Sequence, residues 1–524
     1  MIYRSPYPDI DIPLRPLHEF VLENAGNDWD RPALIDGPSG RTLTYRQLVS
    51  AIRRTAHGLV ARGLKKGQVV GIFSPNLPEY AVAFFGTAGA GGIASTINPT
   101  YTSSELHHQL TDSHARFLVT IPALMDTARA AAKNTAVQEL FVFGEAEGAT
   151  PFASLLSEVD YFPAVACDPK EDVAVMPYSS GTTGFPKGVM LTHFNIVANL
   201  AQTERVERVA SDEVIIGILP FYHIYGMVVI MSSALHAGAT IVTMPRFDLE
   251  QFLTLLQAHG VTRGYLVPPI VLALAKHPLV DQYNLSKLRN ILSGAAPLPE
   301  PVARACVARL GCMLRQGYGL TETSPVTHAN PRDREIRITS VGMALPNTEY
   351  RVVDLTSHKD MPPGELGEIW IRGPQVMKGY LNNTQATRNM IDDDGWLHSG
   401  DIGSADTEGY LYVVDRVKEL IKYKGLQIAP AELEAVIQGH PSVADCAVVP
   451  SPDEEAGEVP KAFVVLKPGA AATTDDIITF VANRVAPYKK VRRVEFIDAI
   501  PKVPSGKILR RQLIERERAA AGRS

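Results

Sequence analysis

Short apolar runs rich in β-branched residues recur along most of the chain, at 69–73, 117–121, 214–219 and 240–242. Each is too short for a helix and is bounded by polar, Gly or Pro positions, the signature of a buried strand. Between them the apolar positions fall on a helical period, as in 77–89 and 104–110. A parallel strand pair needs a crossover connection, and a helix supplies one, so this alternation predicts layered α/β structure with largely parallel strands. Self-similarity at a period of roughly 20–50 residues is absent, as are low-complexity tracts; the Gly and Pro punctuation marks loops between elements.

After about Asp415 the texture changes. A charged segment, DRVKELIKYKG (415–425), leads to a helix starting at Pro430, then strand-like runs CAVVP (446–450) and AFVVL (462–466), then a basic end. Pro430 in the first turn, followed by Glu432 and Glu434, suits the positive end of a helix dipole. The last segment, RRQLIERERAAAG (510–522), reads as a solvated helix. The chain is therefore expected to hold a large amino-terminal domain, 1–415, and a small carboxyl-terminal domain, 416–524.

Composition narrows the function. With 524 residues and 45% hydrophobic content the chain has material for several cores. A net charge of −5 gives no global basic field, so no nucleic-acid partner is expected; small molecules are. Cys167, Cys306, Cys312 and Cys446 are scattered, with no neighbouring histidine at ligand spacing, which argues against zinc or a disulfide framework and fits a reducing cytoplasm. The opening MIYRSPYPDIDIPLRP lacks the apolar run of a signal peptide, so no export is expected. Apolar stretches such as 226–235 fall short of the ~20 residues of a membrane span, and the final AAAGRS is no SKL-type peroxisomal address.

The densest chemical signal is YSSGTTGFPKGV (178–189), directly after a strand-like 173–176. Gly181, Gly184 and Gly188 let the backbone bend so that its N–H groups converge; Ser179, Ser180, Thr182 and Thr183 add hydroxyl donors; Lys187 adds positive charge. Such a loop is built to grip polyphosphate. It is not a Walker loop, since Pro186 precedes the lysine and a glycine follows it.

This run resembles the phosphate loop of the adenylate-forming enzymes, which include acyl-CoA synthetases, 4-coumarate:CoA ligases, beetle luciferases and the adenylation domains of peptide synthetases. The resemblance extends from about Thr42 to Gln512 with the motifs in the family's order, and the texture is nearest that of 4-coumarate:CoA ligases, including bacterial ones. It implies a large domain of layered α/β subdomains plus a β-barrel-like part, a small mobile α+β domain, and ATP, Mg²⁺ and coenzyme A as reaction partners.

Residue by residue, similarity implies the following. In QGYGLTE (316–322), Gln316, Gly317 and Tyr318 contact the adenine nucleotide, while Thr321 and Glu322 offer hard oxygens to Mg²⁺ and phosphate. Asp401, in WLHSGD, and Arg416 hold the ribose; Lys418 is the hinge. Lys507, in PKVPSGK (501–507), neutralises charge during adenylation, whereas Lys422 and Gln427 act in thioester formation and Lys424 and Gly425 line the thiol channel. His223, in PFYHIYG (220–226), lies where acyl and thiol channels meet.

The acyl pocket is expected at Tyr225, Val228, Val229, Gly294, Gly319, Pro325 and Val326. Plant 4-coumarate ligases carry polar residues shortly after the histidine; here Met227, Val228 and Val229 stand there, and an unpaired phenol buried against valines is penalised. The expected activity is ATP-dependent ligation of a cinnamate or 4-coumarate-type aryl acid to coenzyme A, with a medium-chain fatty acid as alternative. A carrier-loading enzyme is a remoter one, since 221–234 has no Asp or Glu to grip an amine. A nucleotide-binding sensor without activity would be expected to have lost Lys187, Glu322, Asp401, Arg416 or Lys507, and all are present.

Overall fold

The computed structural model describes residues 1–179, 186–424, 426–453, 455–503 and 506–521. Two nine-stranded sheets, each largely parallel, form the bulk of the chain. In one, Val69–Phe73 runs parallel to both Ile93–Ile97 and Phe117–Thr120. In the other, Val214–Gly217 pairs in parallel with Thr240–Thr243 and Arg263–Leu266, and Asn290–Ser293 and Met313–Gly319 follow. Helix Pro78–Gly89 is buried on nearly every side, as a helix apolar all round must be. Pro78 opens it, where a missing N–H costs nothing. Helix Ser103–Asp112 starts at a capping box between Thr102 and Glu105.

A third sheet, five-stranded and antiparallel, joins Tyr3–Arg4, Glu349–Val353, Gly367–Arg372, Leu397–Ala405 and Leu411–Arg416. The expected domain division after Asp415 falls one residue before the end of its last strand. A short 3₁₀ turn, Val417–Glu419, then leads to the fourth sheet, where Ile421–Tyr423 pairs with Leu426–Ile428 and Val443–Asp453 with Gly457–Leu466. This sheet has its own core, with Ile421, Leu433, Ile437, Val464 and Ile477 fully buried. A separate core is what lets such a unit move as a body.

Helix Arg510–Ala521 corrects the expectation of a solvated helix. Leu513 is buried, and Glu517 is buried against Lys461 and Ser451. Its polar sequence disguised the contact because the inward charges are paired rather than replaced by apolar residues. Among the described residues no helix is long and apolar enough to cross a membrane. The 226–235 stretch is interior: it continues from the buried π-helix Tyr225–Ser232 into Ser233–Ala237.

Candidate active site

Ser180, Gly181, Thr182, Thr183 and Gly184 of the phosphate loop lie outside the described residues. On either side of them, Tyr178–Ser179 pairs antiparallel with the start of Lys187–Thr192, so Ser179 faces Lys187 in register. The Lys187 ammonium sits 5.0 Å from the centroid of the Tyr380 ring. The hydroxyl of Tyr380 in turn donates to Glu322 Oε1 at 2.8 Å, and Glu322 is buried. One aromatic side chain thus separates the loop cation from the carboxylate proposed for Mg²⁺.

Thr321 precedes Glu322 in the 3₁₀ turn Thr321–Thr323, at the end of strand Met313–Gly319. Among the described residues no cluster of three or more His, Cys, Asp or Glu forms a ready cation cage. Glu322 and Thr321 offer hard oxygens only, which fits Mg²⁺ sharing its coordination with phosphate and water.

Tyr318 donates its phenol to Asp401 Oδ2 at 2.6 Å, and Arg416 Nε meets Asp401 Oδ1 at 3.2 Å. Asp401 and Arg416 are also register partners on adjacent strands. Burial pushes the Asp401 carboxyl up, against the pull of Arg416, Tyr318 and Lys507. Lys507 comes to this cluster from the small domain. Burial and the nearby Arg416 guanidinium lower its pKa, while Glu419 and Asp401 oppose the shift. Gly506, with φ +81°, turns the chain beside it, and a Cβ there would stand 2.9 Å from Pro269 Cδ at the start of helix Pro268–Lys276. Gly506 therefore lies against the large domain.

His223 also feels Lys507. Its pKa is pushed down to about 4 by burial and by that ammonium. Its Nδ1 accepts from the Tyr225 N–H at 3.3 Å, which leaves the proton of the neutral ring on Nε2. Tyr225 donates to the Leu292 carbonyl at 3.0 Å and packs against Gly294, where an added Cβ would stand 3.1 Å from its ring. Val228, Val229 and Val326 are buried. Gly319 is exposed, and a Cβ on it would collide with the Pro325 carbonyl.

Residues 21–381 match the family model described as AMP-binding enzyme, and residues 432–507 match that of the AMP-binding enzyme C-terminal domain. The chain belongs to the AMP-binding enzyme family. 4-Coumarate–CoA ligase 1 of Petroselinum crispum is 44% identical over 533 residues, covering 100% of this chain and 97% of that protein. Among solved structures, ATP-bound MatB from Rhodopseudomonas palustris superposes with a TM-score of 0.89 at 30% identity, covering 96% of this chain and 99% of that one. The apo form of MatB, at the same identity and coverage, gives 0.79. The anthranilate CoA ligase AuaEII, in complex with anthranoyl-AMP, gives 0.88 at 26% identity, covering 98% of this chain and 99% of that one.

The other expected site residues of this AMP-binding enzyme are divided between the small domain, the turn that leads to it and the strand that carries Tyr318. Lys422 and Lys424 are exposed on the hairpin of the small domain, and Gln427 pairs with Lys422 across it. Gly425 lies outside the described residues. Lys418 sits in the 3₁₀ turn between the domains. The Gln316 side chain is spent on the protein itself: it donates to the Ile338 carbonyl at 2.6 Å and accepts from the Leu298 N–H at 3.2 Å, tying two loops together. Gly317 pairs with Ala329 on the antiparallel strand beside it.

Several supports of the site escaped the sequence. Glu207 bridges Arg263 and Arg315, both 1% exposed, and Arg263 also holds Glu213. This buried network anchors the strand that carries Gln316 to Gly319. Asn199 grips Val326 through both its backbone groups, accepting at 3.1 Å and donating at 2.6 Å. Tyr380 was missed as well. None of these positions stands in a motif, and charges on a helix such as Glu207 look solvated until the partner strand is known.

Proposed function

We propose that this AMP-binding enzyme is an ATP-dependent acid:CoA ligase that converts an aryl acid of the cinnamate or 4-coumarate type into an acyl adenylate and then a coenzyme A thioester. A carboxylate is a poor acyl donor because an oxide would have to leave. Attack of the carboxylate oxygen on the α-phosphorus of ATP expels pyrophosphate and yields a mixed anhydride; the thiol sulfur of coenzyme A then attacks the acyl carbon and AMP departs. The first step brings two anions together, so cations must be concentrated where they meet.

The observation that carries this assignment is the contact of Tyr318 and Arg416 with Asp401, together with Gly506 set against Pro269, which brings the Lys507 loop of the small domain to the large one. In the proposed division of labour, Asp401 and Arg416 orient the ribose, Tyr318 presents its ring to the base, Lys187 and the loop take the phosphates, and Lys507 stabilises the charge between carboxylate and α-phosphate. Glu322 and Thr321 would hold Mg²⁺, which supplies further charge neutralisation when bound. His223, neutral with Nε2–H as donor, orients the carboxylate. Support for the first-step pose comes from the better fit to ATP-bound than to apo MatB.

For the second step the small domain rotates about Lys418, withdrawing Lys507 and bringing the 422–427 hairpin toward the thiol channel. The exposed positions of Lys422 and Lys424 suit a hairpin waiting for that turn. The four cysteines are all free thiols, in keeping with a cytoplasmic enzyme. The valine lining at Val228 and Val229 also favours a second substrate class, medium-chain aliphatic acids. AMP release with coenzyme A, measured over cinnamic, coumaric, benzoic and C6 to C12 fatty acids, tests the proposal. Cinnamate should be turned over at least as well as 4-coumarate; no turnover of any acid would refute ligase activity, and a preference for 4-coumarate would refute the role given to the valines.

A further inference from the structure

Helix Pro430–Gln438 of the small domain begins without a cap of its own. Its N-cap residue is Ala429, which makes no side-chain cap bond. A helix start leaves several backbone N–H groups without intrahelical partners, and burying them unpaired is costly. The missing acceptor comes from the other side of the domain junction. Asp415, on the last strand of the large domain's antiparallel sheet, accepts from the Ala431 N–H through Oδ2 at 2.7 Å. Its Oδ1 accepts from the Arg416 N–H at 2.8 Å, which fixes the carboxylate in the plane it needs. Asp415 is buried, and the Arg510 guanidinium lies close enough to act on it.

Arg510 links this contact to the adenylation lysine. It stands three residues after Lys507 and pairs with Glu419 at 2.8 Å and Glu434 at 2.7 Å. Glu434 belongs to the helix that Asp415 caps, and Glu419 to the turn between the domains. The capped helix, the turn and the Lys507 loop are thereby tied into one block, which the carboxylate of Asp415 fastens to the large domain. Rotation about Lys418 changes the direction of helix Pro430–Gln438 relative to the strand that bears Asp415. The cap bond spans that junction, so a turn of the small domain that carries the helix away from the strand breaks it.

We propose that Asp415 is a positioning residue that latches the small domain in the adenylation pose, acting on Lys507 through the amino end of helix Pro430–Gln438 and not on substrate. The latch rests on the two-pose ligase mechanism proposed above. A helix cap is worth enough to shift a pose equilibrium about fivefold.

The test uses the full-length enzyme and two readouts. In the first, Asp415→Ala should lower carboxylate-dependent exchange of pyrophosphate into ATP about fivefold, while conversion of supplied acyl adenylate plus coenzyme A stays equal or rises. In the second, hydrogen–deuterium exchange with ATP bound should quicken in the 501–509 loop, with strand Gly457–Leu466 unchanged. Asp415→Ala/Ala429→Ser returns a local cap to the helix without the cross-junction tie, so adenylation should stay low. Recovery in that double variant would show that only helix stability was lost and would overturn the latch. So would an equal fall in both half-reactions, or no change in either. If Asp415→Ala does not fold, Asp415→Leu, of similar volume and without an acceptor, is read by the same criteria. Absence of pyrophosphate exchange in the wild type would instead count against the ligase proposal, and the deuterium readout would still decide the latch.

Discussion

The hydroxyl of Tyr380 donates to Glu322 Oε1 at 2.8 Å while its ring carries the Lys187 ammonium 5.0 Å from the centroid. The same side chain therefore fixes the orientation of the proposed Mg²⁺ carboxylate and shelters the loop lysine. A hydrogen bond to a carboxylate contributes about 1.5–3 kcal/mol. Tyr380→Phe keeps the ring under Lys187 and removes only that bond, so the KM for Mg·ATP should rise about tenfold, with a smaller change in kcat. Tyr380→Leu, which also removes the ring, should cost more. Initial rates at varied Mg·ATP and saturating acid check both.

Gly506 has a positive φ and no room for a methyl group against Pro269. Gly506→Ala should lower pyrophosphate exchange about tenfold and leave thioester formation from supplied acyl adenylate unchanged. The strain of an alanine at such a φ is about 1 kcal/mol, so the melting temperature of the chain should move little. A parallel loss in both half-reactions would show that the loop tip matters for folding and not for the pose.

Glu207 is the shared carboxylate of a buried pair of arginines. Removing it strands the Arg315 guanidinium in the interior and leaves Arg263 with Glu213 alone, for which a cost of about 3–5 kcal/mol is expected. Urea unfolding of Glu207→Ala should show that loss. Salt should not rescue it, because the site is shielded from counter-ions.

The pH dependence follows from two depressed pKa values. His223 falls from 6.5 to about 4 on folding, so between those values the unfolded chain binds more protons than the native one. Its contribution to stability is complete above pH 6.5 and is lost as pH falls toward 4. The urea midpoint should decline over that window, and His223→Asn should flatten the decline. The free-enzyme profile of kcat/KM should have no limb from His223 near 6.5. Lys507 lies below its usual 10.5, so an alkaline limb in the kcat/KM for ATP should come earlier than an ordinary lysine would give, and should vanish in Lys507→Ala.

Much of the fold was legible because strand and helix periods are local. The runs at 69–73 and 240–242 became parallel strands, and Pro430 opened its helix. The boundaries slipped where caps decide them: helix Ser103–Asp112 starts before 104 because Thr102 and Glu105 cap it, and runs past 110 to a C-cap at Ser113. The phosphate loop was legible from its own residues, but the rest of the site only through motif resemblance, since nothing in the spacing of Tyr318, Asp401 and Lys507 announces that three distant segments meet. Glu517 and Glu434 read as solvated or dipole-tuning charges, yet each is buried against a cation from another element. Pairing of that kind belongs to tertiary structure, and single-chain polarity patterns hide it.

The direct measurement of the central claim is the separation of half-reactions in Lys507→Ala. Lys507 is proposed to act only while carboxylate and α-phosphate meet. The variant should lose carboxylate-dependent pyrophosphate exchange by about a hundredfold or more, as expected when a preorganised cation is removed from a charge-developing step. It should still convert supplied acyl adenylate and coenzyme A to thioester at close to the wild-type rate. Equal loss of both half-reactions, or unimpaired exchange, would contradict the account.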